Sequence, residues 1–117
     1  DDLYVDLDWN KDFQDLIMED TRISDYYFNR KIQQKTSKKL KLPANYKVTH
    51  LPNNISKKYP DFSIEVSFKV VDNTVVYNSE ITVPHGLIHK KDFSDWNNCI
   101  KELKEVYNDQ LVLTKMP

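Results

Sequence analysis

The chain of 117 residues holds one glycine, Gly86, and one cysteine, Cys99. Phosphate-cradling loops, dinucleotide folds and nucleophile elbows need several glycines close together, because their backbone turns tightly or approaches a ligand. A single glycine excludes ATP, GTP and nicotinamide enzymes of the standard kinds. A single cysteine excludes an intrachain disulfide and a cysteine-built metal cluster. It fits a cytosolic protein, and equally a periplasmic or surface domain that does without disulfides. Long apolar runs are also missing: Leu16-Ile17-Met18 and Leu111-Val112-Leu113 are far too short to span a bilayer. No signal peptide or anchor is visible, and the chain starts at Asp1 without an initiator methionine, which reads as an excised or processed segment.

What is present suffices for one small core. Hydrophobic residues make up 39% of the chain and charged residues 30%, so residues 1–117 read as a single ordered domain. The net charge of −1 conceals an asymmetry. Residues 1–25 carry nine acids and two bases, residues 26–58 nine bases and no acid, and residues 59–117 nine acids and six bases. A basic block can bind nucleic acid or an anionic surface. With a pI near 6.3, the plainer expectation is that the acidic segment lies beside the basic one, and no nucleic-acid partner is expected.

The most legible stretch is 61–83. A two-residue turn at Asp72-Asn73 pairs Val71 with Thr74, Val70 with Val75, Phe68 with Tyr77, Val66 with Ser79, Ile64 with Ile81 and Phe62 with Val83. Nearly every apolar residue then falls on one face, and Ser63, Glu65, Ser67 and Lys69 fall on the other. A slip of one residue would reverse the faces, so the register is fixed. Asp and Asn tolerate the left-handed backbone of a type I′ turn. Pro84 ends the second strand and His85-Gly86 turns the chain.

Downstream, Phe93, Trp96, Ile100, Leu103 and Tyr107 recur at three- and four-residue spacing, predicting an amphipathic helix over about 90–108 capped by Asp92 or Ser94. Leu111–Thr114 reads as a short final strand. Upstream, Leu3, Val5, Leu7 and Trp9 alternate with Tyr4, Asp6 and Asp8 as a strand with an apolar face. Residues 10–23 suggest a loop with one helical turn, residues 26–42 one polar strand, and residues 46–51 another, bracketed by Leu42-Pro43 and Leu51-Pro52. The fold class is α+β and mostly β: an antiparallel sheet or sandwich with one long hairpin, one C-terminal helix and a short strand after it.

Few residues offer chemistry. Cys99 falls in the middle of the helix beside its apolar stripe, where a small buried hydrophobe is expected rather than a thiolate. His85 and His89 stand four apart, but Gly86 places His85 in a turn and no third ligand accompanies them, so no metal or cofactor is expected. The pairs Asp6/Asp8 and Asp12/Asp15 lack calcium-loop spacing and read as surface acid. Lys35, Lys38, Lys39, Lys41 and Lys47 read as a solvated strand face that guards a sheet edge. The candidate binding surface is Trp9, Tyr26 and Tyr27 (with Phe28 beside them), together with Lys38, Lys39 and Lys41.

The string Leu42-Pro43-Ala44-Asn45-Tyr46-Lys47-Val48 before Leu51-Pro52, the strand at 62–70, the Asp72-Asn73 turn and the Phe93…Trp96…Ile100 helix closing on Leu111-Val112-Leu113 together resemble a known family. It is the C-terminal domain of unknown function found behind the transglutaminase-like domain of multidomain bacterial proteins. The stretch 22–28 resembles the family's approach to its first long strand. The resemblance covers about 20–115, so residues 1–20 read as an acidic N-terminal strand and connecting segment, and 21–117 as the β-rich domain. It implies a periplasmic or extracellular setting and a non-catalytic accessory role, with the neighbouring transglutaminase-like domain as partner. It transfers no functional residue, because the cysteine–histidine–aspartate triad of the transglutaminase-like core has no counterpart motif here. The alternative is a carbohydrate- or peptide-binding module of a cell-envelope protein.

Overall fold

The computed structural model describes residues 2–19 and 24–117, and among these it has nine strands and one α-helix. They are β1 (Asp2–Val5), β2 (Tyr26–Tyr27), β3 (Ile32–Lys41), β4 (Tyr46–His50), β5 (Ile55–Lys58), β6 (Ser63–Val71), β7 (Thr74–Val83) and β8 (Leu87–Ile88), then α1 (Phe93–Asn108) and β9 (Leu111–Lys115). Arg22 and Ile23, part of the expected approach to the first long strand, lie outside the described residues.

The long hairpin forms in the expected register, from Val71 opposite Thr74 through Ile64 opposite Ile81 to Ser63 opposite Thr82. Asp72 and Asn73 take φ of 48° and 61°, the left-handed pair that a type I′ turn needs. β3 and β5 pair antiparallel with its two sides, giving the order β3-β7-β6-β5. A second sheet has the order β1-β9-β4, and β2 pairs with β8.

One face of the four-stranded sheet builds the core and is covered in two parts. Ile64, Val66, Tyr77 and Ile81 form one buried cluster with Trp96, Ile100 and Leu103 of α1. Toward the hairpin tip, Val75 forms a second with Leu111 and Leu113 of β9. The molecule is therefore two layers deep, with a helix and a small sheet laid end to end along a long one. It measures 58 × 23 × 19 Å. Its radius of gyration is 16.6 Å, against the roughly 13 Å of a compact chain of this length.

Four expectations need correcting. The first strand stops at Val5, and its apolar phase reverses: Asp8 is 5% exposed and Trp9 78%. Residues 12–15 form a hydrogen-bonded turn and not a helical one, because Phe13 sits at φ 65°. The polar strand at 26–42 is two strands, broken where Asn29 takes φ 68°. Finally, neither Asp92 nor Ser94 caps the helix with its side chain. A 3-10 turn at Lys90–Asp92 leads into α1, and distant carboxylates accept its first N–H groups: Asp61 from His89 at 2.9 Å and Asp25 from Lys90 at 2.8 Å.

The acidic N-terminal segment is strapped along α1. The Trp96 indole donates to the Leu16 carbonyl at 2.8 Å, and Asn97 brackets Met18, accepting from its N–H at 2.7 Å and donating to its carbonyl at 2.8 Å. The Tyr107 hydroxyl donates to the Asp12 carbonyl at 2.9 Å. Gly86 has φ 64° as its turn demands, and its carbonyl accepts the Phe28 N–H at 2.8 Å, joining the β8 side of that turn to the end of β2.

Candidate functional site

The six residues of the expected binding surface do not converge. Trp9 and Lys38 meet: the ammonium stands 4.1 Å above the indole centroid, a cation–π contact at an exposed site. Lys38 faces the core side of β3, opposite Tyr77, whereas Lys39 and Lys41 point from the other face. Tyr26 is half-buried against Phe28, with ring centroids 4.9 Å apart. Tyr27 is 62% exposed but belongs to the β2–β8 pair, past the end of β7 marked by Ile32 opposite Val83. Lys38 lies six residue steps along β3 from that rung, about 20 Å at ~3.3 Å each. Trp9 and Tyr27 therefore do not share one platform.

The titratable groups are placed by the fold, not by their spacing in sequence. His89 finds Asp61, 28 residues away, and not His85: its Nδ1 lies 2.8 Å from Asp61 Oδ2, which also accepts the His89 backbone N–H. Asp92 completes a group whose potential ligand atoms lie within 4.8 Å of one another. Burial works against ionising Asp61, yet the hydrogen bonds from His89 and Asp92 outweigh it and hold its carboxyl below the ordinary range. Burial, followed by the hydrogen bond to Asp61 and its charge, pushes the Asp92 carboxyl up. The group thus satisfies itself while it ties the base of the hairpin to the start of the helix.

Asp8, expected at the surface, is instead a buried acceptor. Its Oδ2 takes the Tyr77 hydroxyl at 2.6 Å and its Oδ1 the Lys11 N–H at 3.0 Å. Burial, then the bond to Asp8, pushes the Tyr77 hydroxyl well above the ordinary tyrosine value. Asp6 pairs with Lys11 at 2.8 Å and Asp15 with Lys104 at 3.1 Å, both outside the basic block. Cys99 is buried in α1, and burial pushes its thiol up, away from the thiolate a nucleophile requires.

A cleft of about 620 Å³ lies between the β4–β5 connection and α1, lined by Asn53, Asn54, Glu102, Glu105 and Asp109. At its rim, His50 Nε2 stands 2.7 Å from Asp109. Its carboxylates favour a cation over an anionic substrate.

Exposed apolar residues gather elsewhere. The hairpin tip, the β3–β4 connection and the end of β9 meet at one pole, where the Leu42 N–H donates to the Asn73 carbonyl at 2.8 Å and the Met116 N–H to the Asn45 carbonyl at 2.7 Å. The start of β1 reaches the same end, with Asp2 opposite Thr114. Leu3 (38% exposed), Val70 (46%), Val71 (52%) and Met116 (41%) all lie there. Sequence reasoning passed over them. The available signal was Val70-Val71, two adjacent strand valines of which one had to face outward.

The architecture defines a class: a two-layer, mostly antiparallel β domain closed by one C-terminal helix and a final strand. The profile of DUF3858, described as a domain of unknown function with a solved structure, matches residues 3–113. The chain belongs to that family. No curated protein matches the sequence. Among solved structures, it is similar to the crystal structure of a "putative protease" from Parabacteroides distasonis, with a TM-score of 0.69 at 12% identity. The match covers 96% of this chain and 23% of that one.

Proposed function

We propose that this chain is a non-catalytic accessory domain of a transglutaminase-like, papain-type multidomain protein of the bacterial periplasm or exterior, and that it acts by packing against a neighbouring domain. The observation that carries this reading is proportion. The same fold, spanning 96% of this chain, makes up only 23% of a longer chain described as a "putative protease". The environment of Cys99 agrees with it, since a buried thiol with raised pKa in mid-helix is a core residue.

The test is to prepare the encoding gene's whole polypeptide with and without residues 1–117. Deletion is expected to lower the melting temperature of the remainder by several degrees while its hydrolytic or acyl-transfer chemistry persists. Such chemistry in the isolated chain, or a remainder unchanged in stability, would refute the reading.

One observation favours a second reading, a carbohydrate- or peptide-binding module: Trp9 is 78% exposed and braced by Lys38. Titration with peptidoglycan fragments, followed by indole fluorescence in the chain and in Trp9→Phe, decides it, because Trp96 is fully buried. A wild-type signal that stays flat at millimolar fragment excludes that module.

A further inference from the structure

The geometry points to the hairpin-tip pole as the docking surface, and to an acid-rimmed face of a flanking domain of the same polypeptide as its occupant. This rests on the accessory-domain reading and names the partner's chemistry. Of the eight exposed large apolar side chains among the described residues, four lie at this pole: Leu3, Val70, Val71 and Met116. Lys39, Lys41 and Lys69 share the outer face of the long sheet with Val71, Lys47 stands on the outer face of the small sheet, and Lys115 ends β9 between them, all exposed. Lys41 pairs across with Thr74, Lys47 with Thr114 and Lys115 with Tyr46, which fixes them on the rungs nearest the tip.

None of these five lysines has an ion-pair partner among the described residues. The acids on the same rungs are Asp2 and Asp72, so the pole is net positive. An apolar patch rimmed by charge of one sign marks an interaction site, and its complement is an apolar patch rimmed by carboxylates.

Topology favours a flanking domain over a lipid surface. β1 starts and β9 ends at this pole, so a domain joined to either end is held beside it at high effective concentration.

The test is carbodiimide cross-linking with mass spectrometry on the whole polypeptide that the gene encodes, which joins lysines directly to carboxylates in contact. Lys39, Lys41 and Lys69 are expected to link to Asp or Glu of the flanking domain. Val71→Asp, at a position 52% exposed, is expected to cut those links roughly fivefold or more while circular dichroism shows the fold retained. Links to the flanking domain only from lysines elsewhere, such as Lys101 and Lys104 on α1, would overturn the pole and leave the accessory reading standing. Absence of every interdomain link would overturn both. Sedimentation of the polypeptide with phosphatidylglycerol vesicles, abolished by Lys39→Glu with Lys41→Glu, would assign the pole to lipid and overturn the proposal.

Discussion

Replacing Gly86 with valine is expected to destabilise the chain by about 3 kcal/mol, and two separate causes contribute. Gly86 sits at φ 64°, where a side chain costs roughly 1–2 kcal/mol. A Cβ there would also collide with the Arg30 carbonyl, backbone that cannot swing aside like a flexible side chain. Relief requires the 28–31 segment to move, which loosens the 2.8 Å bond from Phe28 to Gly86 and the two rungs of the β2–β8 pair. That backbone bond contributes about 1 kcal/mol net.

At roughly 4 °C per kcal/mol for a domain of this size, the melting temperature should fall by about 12 °C. Thermal unfolding followed by circular dichroism reads it. Gly86→Asn separates the two causes, because asparagine tolerates the left-handed region but still carries a Cβ. An asparagine variant that loses nearly as much as Gly86→Ala identifies the collision as dominant. If valine, alanine and asparagine all unfold within about 0.5 kcal/mol of the parent, the reasoning about this turn is wrong.

Other expectations follow from the buried polar contacts. Tyr77→Phe leaves the buried Asp8 without its hydroxyl donor and should cost about 1–3 kcal/mol by denaturant titration; an unchanged midpoint would count against that bond holding the N-terminal segment. Asp61 ionises below its ordinary value of 3.8, so its stabilisation is present above that pH and fades as pH falls below it. Asp61→Ala should therefore destabilise more at pH 7 than at pH 2.5, and equal losses at both would contradict the assignment. Asp92 has the opposite sign: its raised value means that its favourable contribution is lost as pH rises above 3.8. Asp92→Asn should consequently raise the melting temperature at pH 7 and not at pH 2.5. Cys99 should react with a maleimide only as fast as the chain opens; instant labelling of the folded chain would refute its burial.

Legibility followed the range of the physics involved. The hairpin at 61–83 was readable because two long strands alternate and a two-residue turn leaves one register that buries Ile64, Val66, Phe68, Val75, Tyr77, Ile81 and Val83 on one face. The helix was readable because seven of its residues are buried at helical spacing. By contrast, β5 (Ile55–Lys58) holds a single apolar residue and takes its place from β6, so no pattern marks it. The break between β2 and β3 depends on Asn29, whose left-handed backbone the sequence permits without requiring.

The site residues were hidden for a related reason. His89 carries a local signal, four residues from His85, but its partner Asp61 lies across the hairpin. Asp8 occupies an exposed phase of a strand that ends three residues too early for the pattern to apply. Trp9 and Tyr27 were grouped because both are aromatic, and the length of the sheet separates them.

The claim that this domain works by docking against a neighbour is tested most directly by its tumbling. In the whole polypeptide that the gene encodes, ¹⁵N relaxation of amides in β6, β7 and α1 reports the rotational correlation time of this domain alone. A docked domain must tumble with the correlation time of the whole particle. A value belonging to an independent body of 13.9 kDa would contradict the account.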